Sequence, residues 1–533
     1  MSRSFRRLTR ALICALLILL IALAPSLSCA SSYTTSLTCA IIATDDLVLR
    51  PLELNQRDVV SVLDLVYEGL FALDDNYAPQ PELAYSFDFV SGGRRLRVVL
   101  RDDVTFHSGK KLTSEDVIAT LDYMYELSGF DAKLNSDVDL TERGLYYATF
   151  YTLKSWEAED ERTLLFTLNR PSYGALYAFT FPILPANEVR NAMPSGTGPY
   201  KYDGYEQGSA IWLTANMTWW QRPPQVRNIR ANIYRDSELA LNAFDTQAVD
   251  VAMSRSINAS RYSGSLSSYS LSARTRQLEV LLLNRAQKLF QSDDNGENLV
   301  RRAVSYAINR SALISSVYQG MATVAYTPIP AGTWLSNEST IEDIYDPLMA
   351  AALLEQAGYQ LADDGKRYKN GEVMPTLRML VYDEPGSTVR TNAANLIKEQ
   401  LEAVGFSISV ETWQRKNVIE KLRNLDYYFV LAAFNFDVSP DPGFTLSSTA
   451  SCNYTRYRND TMNALLSKLR STECISAEAY AETMREIQAQ FVQDIPYLPL
   501  YWRSGTLLSR SAFTNARDIR ELELLRGVES FTY

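Results

Sequence analysis

A single histidine, His107, stands among the 533 residues. One imidazole cannot build a histidine-rich zinc site, and any hydrolase triad would have to use this one residue. It falls at the end of a strand pattern, where a structural hydrogen bond is the expected role. A thiol enzyme needs a base beside its cysteine, and there is no second histidine to supply it. Gly196-Thr197-Gly198-Pro199 lacks the G-K-[ST] that completes a phosphate loop, and Pro199 fits a tight turn entering a strand. The acid pairs Asp45-Asp46, Asp102-Asp103 and Asp293-Asp294 read as turn or solvent-facing residues, and Asp363-Asp364 before Gly365 as a hairpin turn. The segment Phe434-Asn435-Phe436-Asp437-Val438-Ser439-Pro440-Asp441-Pro442 differs from these. It follows an apolar strand, so it sits at a strand's C-terminal end, where open α/β sheets bind ligands. Asp437 and Asp441 either face a ligand there or cap a turn around Pro440. Phe434, Asn435, Phe436, Trp413 and Tyr457 are candidates to line a pocket, with core packing as the alternative for the aromatics. Arg415 and Lys416 follow another strand end; each is a candidate anion ligand or a solvated charge.

Several elements would have to position these side chains. Leu96, Val98 and Leu100 alternate with Arg95, Arg97, Val99 and Arg101, the period of a half-buried strand. Ser108-Gly109 breaks the chain, and Thr113-Ser114-Glu115-Asp116 begins a helix with a hydroxyl cap and acids in its first turn. Elsewhere the patterns predict strands over 37–42, 163–168, 198–205, 211–215, 249–253, 278–283, 377–382, 408–412 and 427–432. They predict helices over 59–70, 114–125, 237–244, 299–318, 347–357, 388–404 and 476–493. Such alternation describes α/β layers. No internal repeat or low-complexity linker interrupts it.

The residues of the 94–117 segment resemble a family signature. Leu100, Arg101, Val104, Phe106, His107, Gly109, Leu112, Thr113, Asp116 and Val117 fall where the family 5 extracytoplasmic solute-binding proteins carry F-x-L-R-x-x-V-x-F-H-x-G-x-x-L-T-x-x-D-V. Leu65-Val66-Tyr67-Glu68-Gly69-Leu70, Pro81-Glu82-Leu83-Ala84, Gly196 to Tyr200 and Trp219-Trp220 resemble further blocks of that family. So do Val300 to Arg310, Tyr345-Asp346-Pro347, Gly358-Tyr359 and Ile495 to Tyr501. The resemblance implies an α/β, two-lobed, periplasmic-binding-protein-like fold with a two-strand hinge. It also implies an additional α+β domain inserted in lobe I. Lobe I would comprise 31–58, 189–275 and 499–533, the inserted domain 59–188, and lobe II 276–498. The hinge would lie near 277–283 and 499–502. The implied function is capture of a solute, an oligopeptide or dipeptide first, by hinge closure and delivery to the membrane permease of an ABC importer. An oligosaccharide, a nickel complex or an opine is the alternative solute, and a secreted hydrolase the alternative class. The resemblance also implies no catalytic residue, no metal and no cofactor, and a monomer as the working form. In peptide-binding relatives an aspartate of the W-x-x-D-x-x-D-P segment pairs with the peptide's α-amino group, which carries over to Asp437. This chain has one extra residue before Asp441-Pro442, and Phe436 stands where a small residue is common. Arg415 or Lys416 would then face the peptide carboxylate.

Composition agrees with an exported globular protein. The chain is 46% apolar and carries a net charge of −10. Arg3, Arg6, Arg7 and Arg10 precede an apolar run from Ala11 to Ala24, so residues 1–30 read as a secretory signal. Removing those four arginines takes the charge to −14, which argues against nucleic acid as a partner. Ser28-Cys29-Ala30 permits cleavage after Ala30, and Ser26-Leu27-Ser28-Cys29 also permits a lipid-modified Cys29. Cys39 reads as a buried thiol on the first strand. Cys452 and Cys474 share one C-terminal region, and spacing leaves open whether they pair.

Overall fold

Alternation at Arg95–Leu100 gives a strand whose Leu96, Val98 and Leu100 are fully buried, while Arg95 and Arg97 face outward to Glu157, on the strand next but one in the sheet, and Glu159 just past its end. This is one feature of a computed structural model that describes residues 36–44, 46–129, 146–262, 264–265, 267–292, 296–340, 345–384, 386–512 and 519–531. The signal region with Cys14 and Cys29, and the acids Asp45, Asp293 and Asp294, lie outside the described residues.

The strand joins an antiparallel sheet of four, in the order Ala84–Val90, Arg95–Leu100, Thr163–Leu168, Leu153–Ala158. The helix Ser114–Ser128 follows it. The helix starts at the expected hydroxyl and first-turn acid: the Asp116 carboxylate accepts from the Thr113 amide at 2.9 Å and from its hydroxyl at 3.0 Å.

The main sheet of the described residues has eleven strands. Ten of them run in the order Ile408–Trp413, Leu377–Tyr382, Phe429–Asn435, Tyr269–Leu283, Leu498–Ser509, Val251–Ser254, Ser36–Ile42, Asn228–Tyr234, Ala210–Ala215, Tyr200–Glu206, and the eleventh, Ala322–Val324, pairs with Leu498–Ser509 off this path. Parallel pairs in each half are flanked by helices, as an α/β chain requires. In one half Leu281, Leu283, Met379 and Val381 pack into one core, and Leu278, Val280, Leu282 and Leu380 into the other. That double burial is why these strands read as unbroken apolar runs. In the other half Leu37, Cys39 and Ile41 share a core with Leu96, Val98 and Phe166 of the four-stranded sheet.

Two long strands cross between the halves. Residues 269–274 pair with 504–509, and 278–281 pair with 498–502, with a register shift between Arg274 and Leu278. Thr275, Arg276 and Gln277 therefore sit in the break. On the far side of it, the fully buried Glu279 binds Arg390 at 2.8 Å and Arg503 at 2.9 Å, tying both crossing strands to the 389–402 helix.

Two predicted helices are shorter than their patterns. The 59–70 pattern yields only Arg57–Leu63. Beyond it the carbonyls of Leu65, Val66 and Glu68 accept from Tyr200, Gly198 and Ile183, so tertiary bonds replace helical ones. The 299–318 pattern divides into Leu299–Ala307 and Arg310–Ser316. Asn309 caps the second piece through the Ala312 amide, and the buried Arg310 is drawn to the Pro499 carbonyl at 2.9 Å. Cys452 and Cys474 are both free thiols, the latter 3.2 Å from the Thr483 hydroxyl.

Candidate ligand-binding cleft

Motifs far apart in sequence converge on one node. The Gly198 amide donates to the Val66 carbonyl at 3.0 Å, and Tyr200 to Leu65 at 2.9 Å. The His107 amide donates to the Gly196 carbonyl at 2.8 Å, and its Nε2 lies 3.0 Å from the Gly198 carbonyl. Burial pulls the imidazole down to about 4, so it is neutral at pH 7 and its Nε2–H donates to that carbonyl. His107 is thus a strut, as its position at a strand end predicts. Gly196 is required for close approach: a Cβ there would stand 1.9 Å from the Val66 carbonyl oxygen. Backbone cannot yield as a flexible side chain does. Gly196→Ala should therefore lower the unfolding free energy by about 3 kcal/mol or more, read from chemical denaturation.

The node supports an acid. Glu68, in the quoted Tyr67-Glu68-Gly69 block, is 5% exposed. The Trp219 and Trp220 indoles donate to it at 3.0 and 3.1 Å. Burial lifts its carboxyl to about 7 despite these bonds. Glu68 lines a cavity of ≈ 210 Å³, together with Asp64, Glu82, Tyr146 and Trp219. Arg276, from the break in the crossing strand, and Val438, from the opposite half, complete its wall.

Asp437 stands beside Val438. Water reaches its carboxylate, yet surrounding protein is dense enough that desolvation raises its pKa against the pull of the Val438 amide and Arg276. Its Oδ1 accepts from that amide at 2.7 Å. Its charge acts in turn on Tyr146. Among the described residues neither Asp437 nor Arg276 has an ion-pair partner.

The other sequence candidates divide by strand alternation. Asn435 shares the exposed side with Asp437, whereas Phe434 and Phe436 turn inward, packing on Phe444, Tyr497 and Trp502. Tyr457 is buried with its hydroxyl on Asp494. Trp413 and Arg415 lie at the outer edge strand of the sheet, three positions from the crossing strand, and do not line the cavity. Lys416 is exposed beside them. Asp441 caps the turn through the Gly443 amide at 2.8 Å. It also binds Arg470 at 2.6 Å and approaches Arg170, from beyond the four-stranded sheet, at 3.8 Å. Nearby Trp334 donates to the Tyr177 hydroxyl at 2.9 Å and stacks on Tyr480. The two sides of the molecule are therefore in contact around the cavity. Arg276, Asp64 and Tyr146 carried no signal that sequence patterning could detect. Glu68 and Trp219 lay within recognised motifs but read as fold residues.

Two α/β halves joined by a pair of crossing strands, with a charged cavity where they meet, form a two-lobed receptor. The chain belongs to the bacterial extracellular solute-binding proteins, family 5, whose middle region matches residues 78–456. It is 24% identical over 475 residues to the oligopeptide-binding protein AppA of Bacillus subtilis, covering 82% of this chain and 81% of that one. Its fold is similar to a nickel ABC transporter structure from Bacillus halodurans, with a TM-score of 0.76 at 18% identity, covering 92% of this chain and 98% of that one. It is also similar to DppA of Helicobacter pylori in complex with the peptide STSA, with a TM-score of 0.63 at 21% identity, covering 92% and 97%. Members of the family are substrate-binding proteins found outside the cytoplasm. Among the described residues no helix is long and apolar enough to cross a membrane.

Proposed function

We propose that the chain captures a short peptide in this cavity by bending at the Thr275–Gln277 break, and presents it to the permease of an ABC importer. One observation carries the reading: Arg276 lines the cavity at the break and its charge acts on Asp437, which adjoins the lining residue Val438, and neither has an ion pair among the described residues. A zwitterion suits that pair, its ammonium on Asp437 and its carboxylate on Arg276. Arg276 here takes the role that the sequence offered to Arg415 or Lys416. The ≈ 210 Å³ volume is below the ~300–1,000 Å³ of drug-sized pockets, which favours a dipeptide over a long peptide. Peptide-binding relatives such as AppA and DppA support the same class. The metal alternative has less support, since among the described residues no three His, Cys, Asp or Glu side chains gather as a metal site. On this reading the protein is no enzyme, works as a monomer, and is exported by its first thirty residues. It ends either as a protein cleaved after Ala30 or as a lipoprotein anchored at Cys29. Mass spectrometry of the mature N-terminus separates those two forms.

Binding and closure are tested together. Calorimetry against short peptides should give saturable binding, and small-angle scattering at saturation should show a smaller radius of gyration than without peptide. An unchanged radius with a peptide proven to bind would remove the closure mechanism. Failure of every peptide to bind would remove the solute class.

A further inference from the structure

The cavity wall holds more negative charge than a simple zwitterion would answer. Glu523 is neutralised, since it pairs with Arg520 at 2.8 Å and Arg526 at 3.3 Å. Asp64, Glu68 and Glu82 have no such partners. Glu68 accepts only from neutral donors, the two indoles among them, and Glu82 from the Gly69 amide at 2.9 Å. Asp64 has neither an ion pair nor a side-chain hydrogen bond among the described residues, and its carboxylate is open to the cavity. On top of burial, Glu68 raises the pKa of Asp64 against the pull of Arg520 and Arg526, and Glu68 and Asp64 together raise that of Glu82. Arg276 is the one lining cation without an ion pair among the described residues, and its charge acts on Asp437.

We propose that the cavity selects a solute bearing a second positive charge: a short peptide with a lysine or arginine side chain, whose cationic end enters the Asp64–Glu68–Glu82 wall. The reading rests on the peptide cavity just described and uses the acids only to decide what enters it. A neutral solute would leave three desolvated carboxylates without an ion pair among the described residues, eased only by the more distant charges of Arg520 and Arg526 at Asp64 and of Arg101 at Glu68. An ammonium or guanidinium supplies several donors at once. The acids do not gather as a metal site, so an extended organic cation suits them better than a bare ion. Tyr146 and Trp219 place aromatic surface on the same wall, which also favours a cation.

Calorimetry on the intact protein tests this with matched dipeptides, alanyl-lysine against alanyl-Nε-acetyl-lysine. The expected result is at least tenfold tighter binding of the charged form. Asp64→Asn should narrow that ratio while leaving the acetylated peptide's affinity and the melting temperature nearly unchanged. If Asp64→Asn fails to fold, Glu82→Gln serves the same comparison. Equal or tighter binding of the acetylated peptide overturns the inference and leaves the peptide reading standing. If both peptides are silent but putrescine or agmatine binds in an Asp64-dependent way, the cation site stands and the peptide reading falls. Silence from every cationic probe overturns the inference.

Discussion

Replacing Asp437 with alanine should weaken binding of a peptide with a free amino terminus by several tens-fold or more, equivalent to about 2–5 kcal/mol. The carboxylate would meet the ammonium in a closed cleft where water is scarce, and truncation strands that charge without a partner. Asp437→Asn should lose much of the same affinity while keeping the shape. Peptides acetylated at the N-terminus should bind the wild type poorly and respond little to either substitution. That cycle separates a direct contact from damage to the loop. Proton linkage supplies a second check. Desolvation holds the Asp437 carboxyl above the ordinary aspartate value, and an ammonium recognises only the ionised form. Affinity should therefore rise with pH through that elevated pKa and level off above it, and in Asp437→Asn this part of the slope should vanish. Calorimetric titrations showing equal affinity for free and acetylated peptides would remove the anchor.

Much of the fold was legible because its cause is local. Alternation at Arg95–Leu100, the Thr113–Asp116 cap and the apolar runs of the central strands each record a burial pattern that the structure reproduces. What misled was local pattern under tertiary control. Residues 64–70 continue a helical apolar face, but their carbonyls are taken by Gly198, Tyr200 and Ile183. The Tyr269–Arg274 half of the crossing strand lacks an apolar rhythm because its neighbours in the sheet fix it. The same distinction governs the site. Asp437 was visible because it ends a strand. Arg276 was not, since its importance comes from a register break between distant strands. The family blocks around Glu68, His107 and Gly196 are conspicuous in sequence for a packing reason: they interlock, and in doing so build one wall of the cavity.

Asp441 should separate stability from selectivity. The sequence offered it as a turn cap, and it is one, but the carboxylate also answers two guanidiniums. Asp441→Ala removes the cap and leaves Arg470 partly buried without its 2.6 Å partner. The expected loss is about 3 kcal/mol of unfolding free energy, the scale for breaking one side of a buried pair. Asp441→Asn keeps an oxygen for the Gly443 amide, so its loss isolates the charge. The contact with Arg170 is longer, at 3.8 Å, and that side chain is 38% exposed, so Arg170→Met should cost under about 1 kcal/mol. Because Arg170 and Asp441 lie on opposite sides of the cleft, Arg170→Met should instead relax closure, seen as a larger radius of gyration in scattering without ligand. Acid provides the sign test. Burial raises the Asp441 carboxyl, but the Arg470 charge and its hydrogen bonds outweigh that and hold it below the ordinary value. Its contribution is thus fully present above an unfolded pKa of about 3.9 and is lost as pH falls through the lower folded value. Asp441→Asn should flatten that part of the acid-unfolding curve. If Asp441→Asn changes peptide preference instead, leaving the denaturation midpoint in place, the residue belongs to the ligand site and not to the joint.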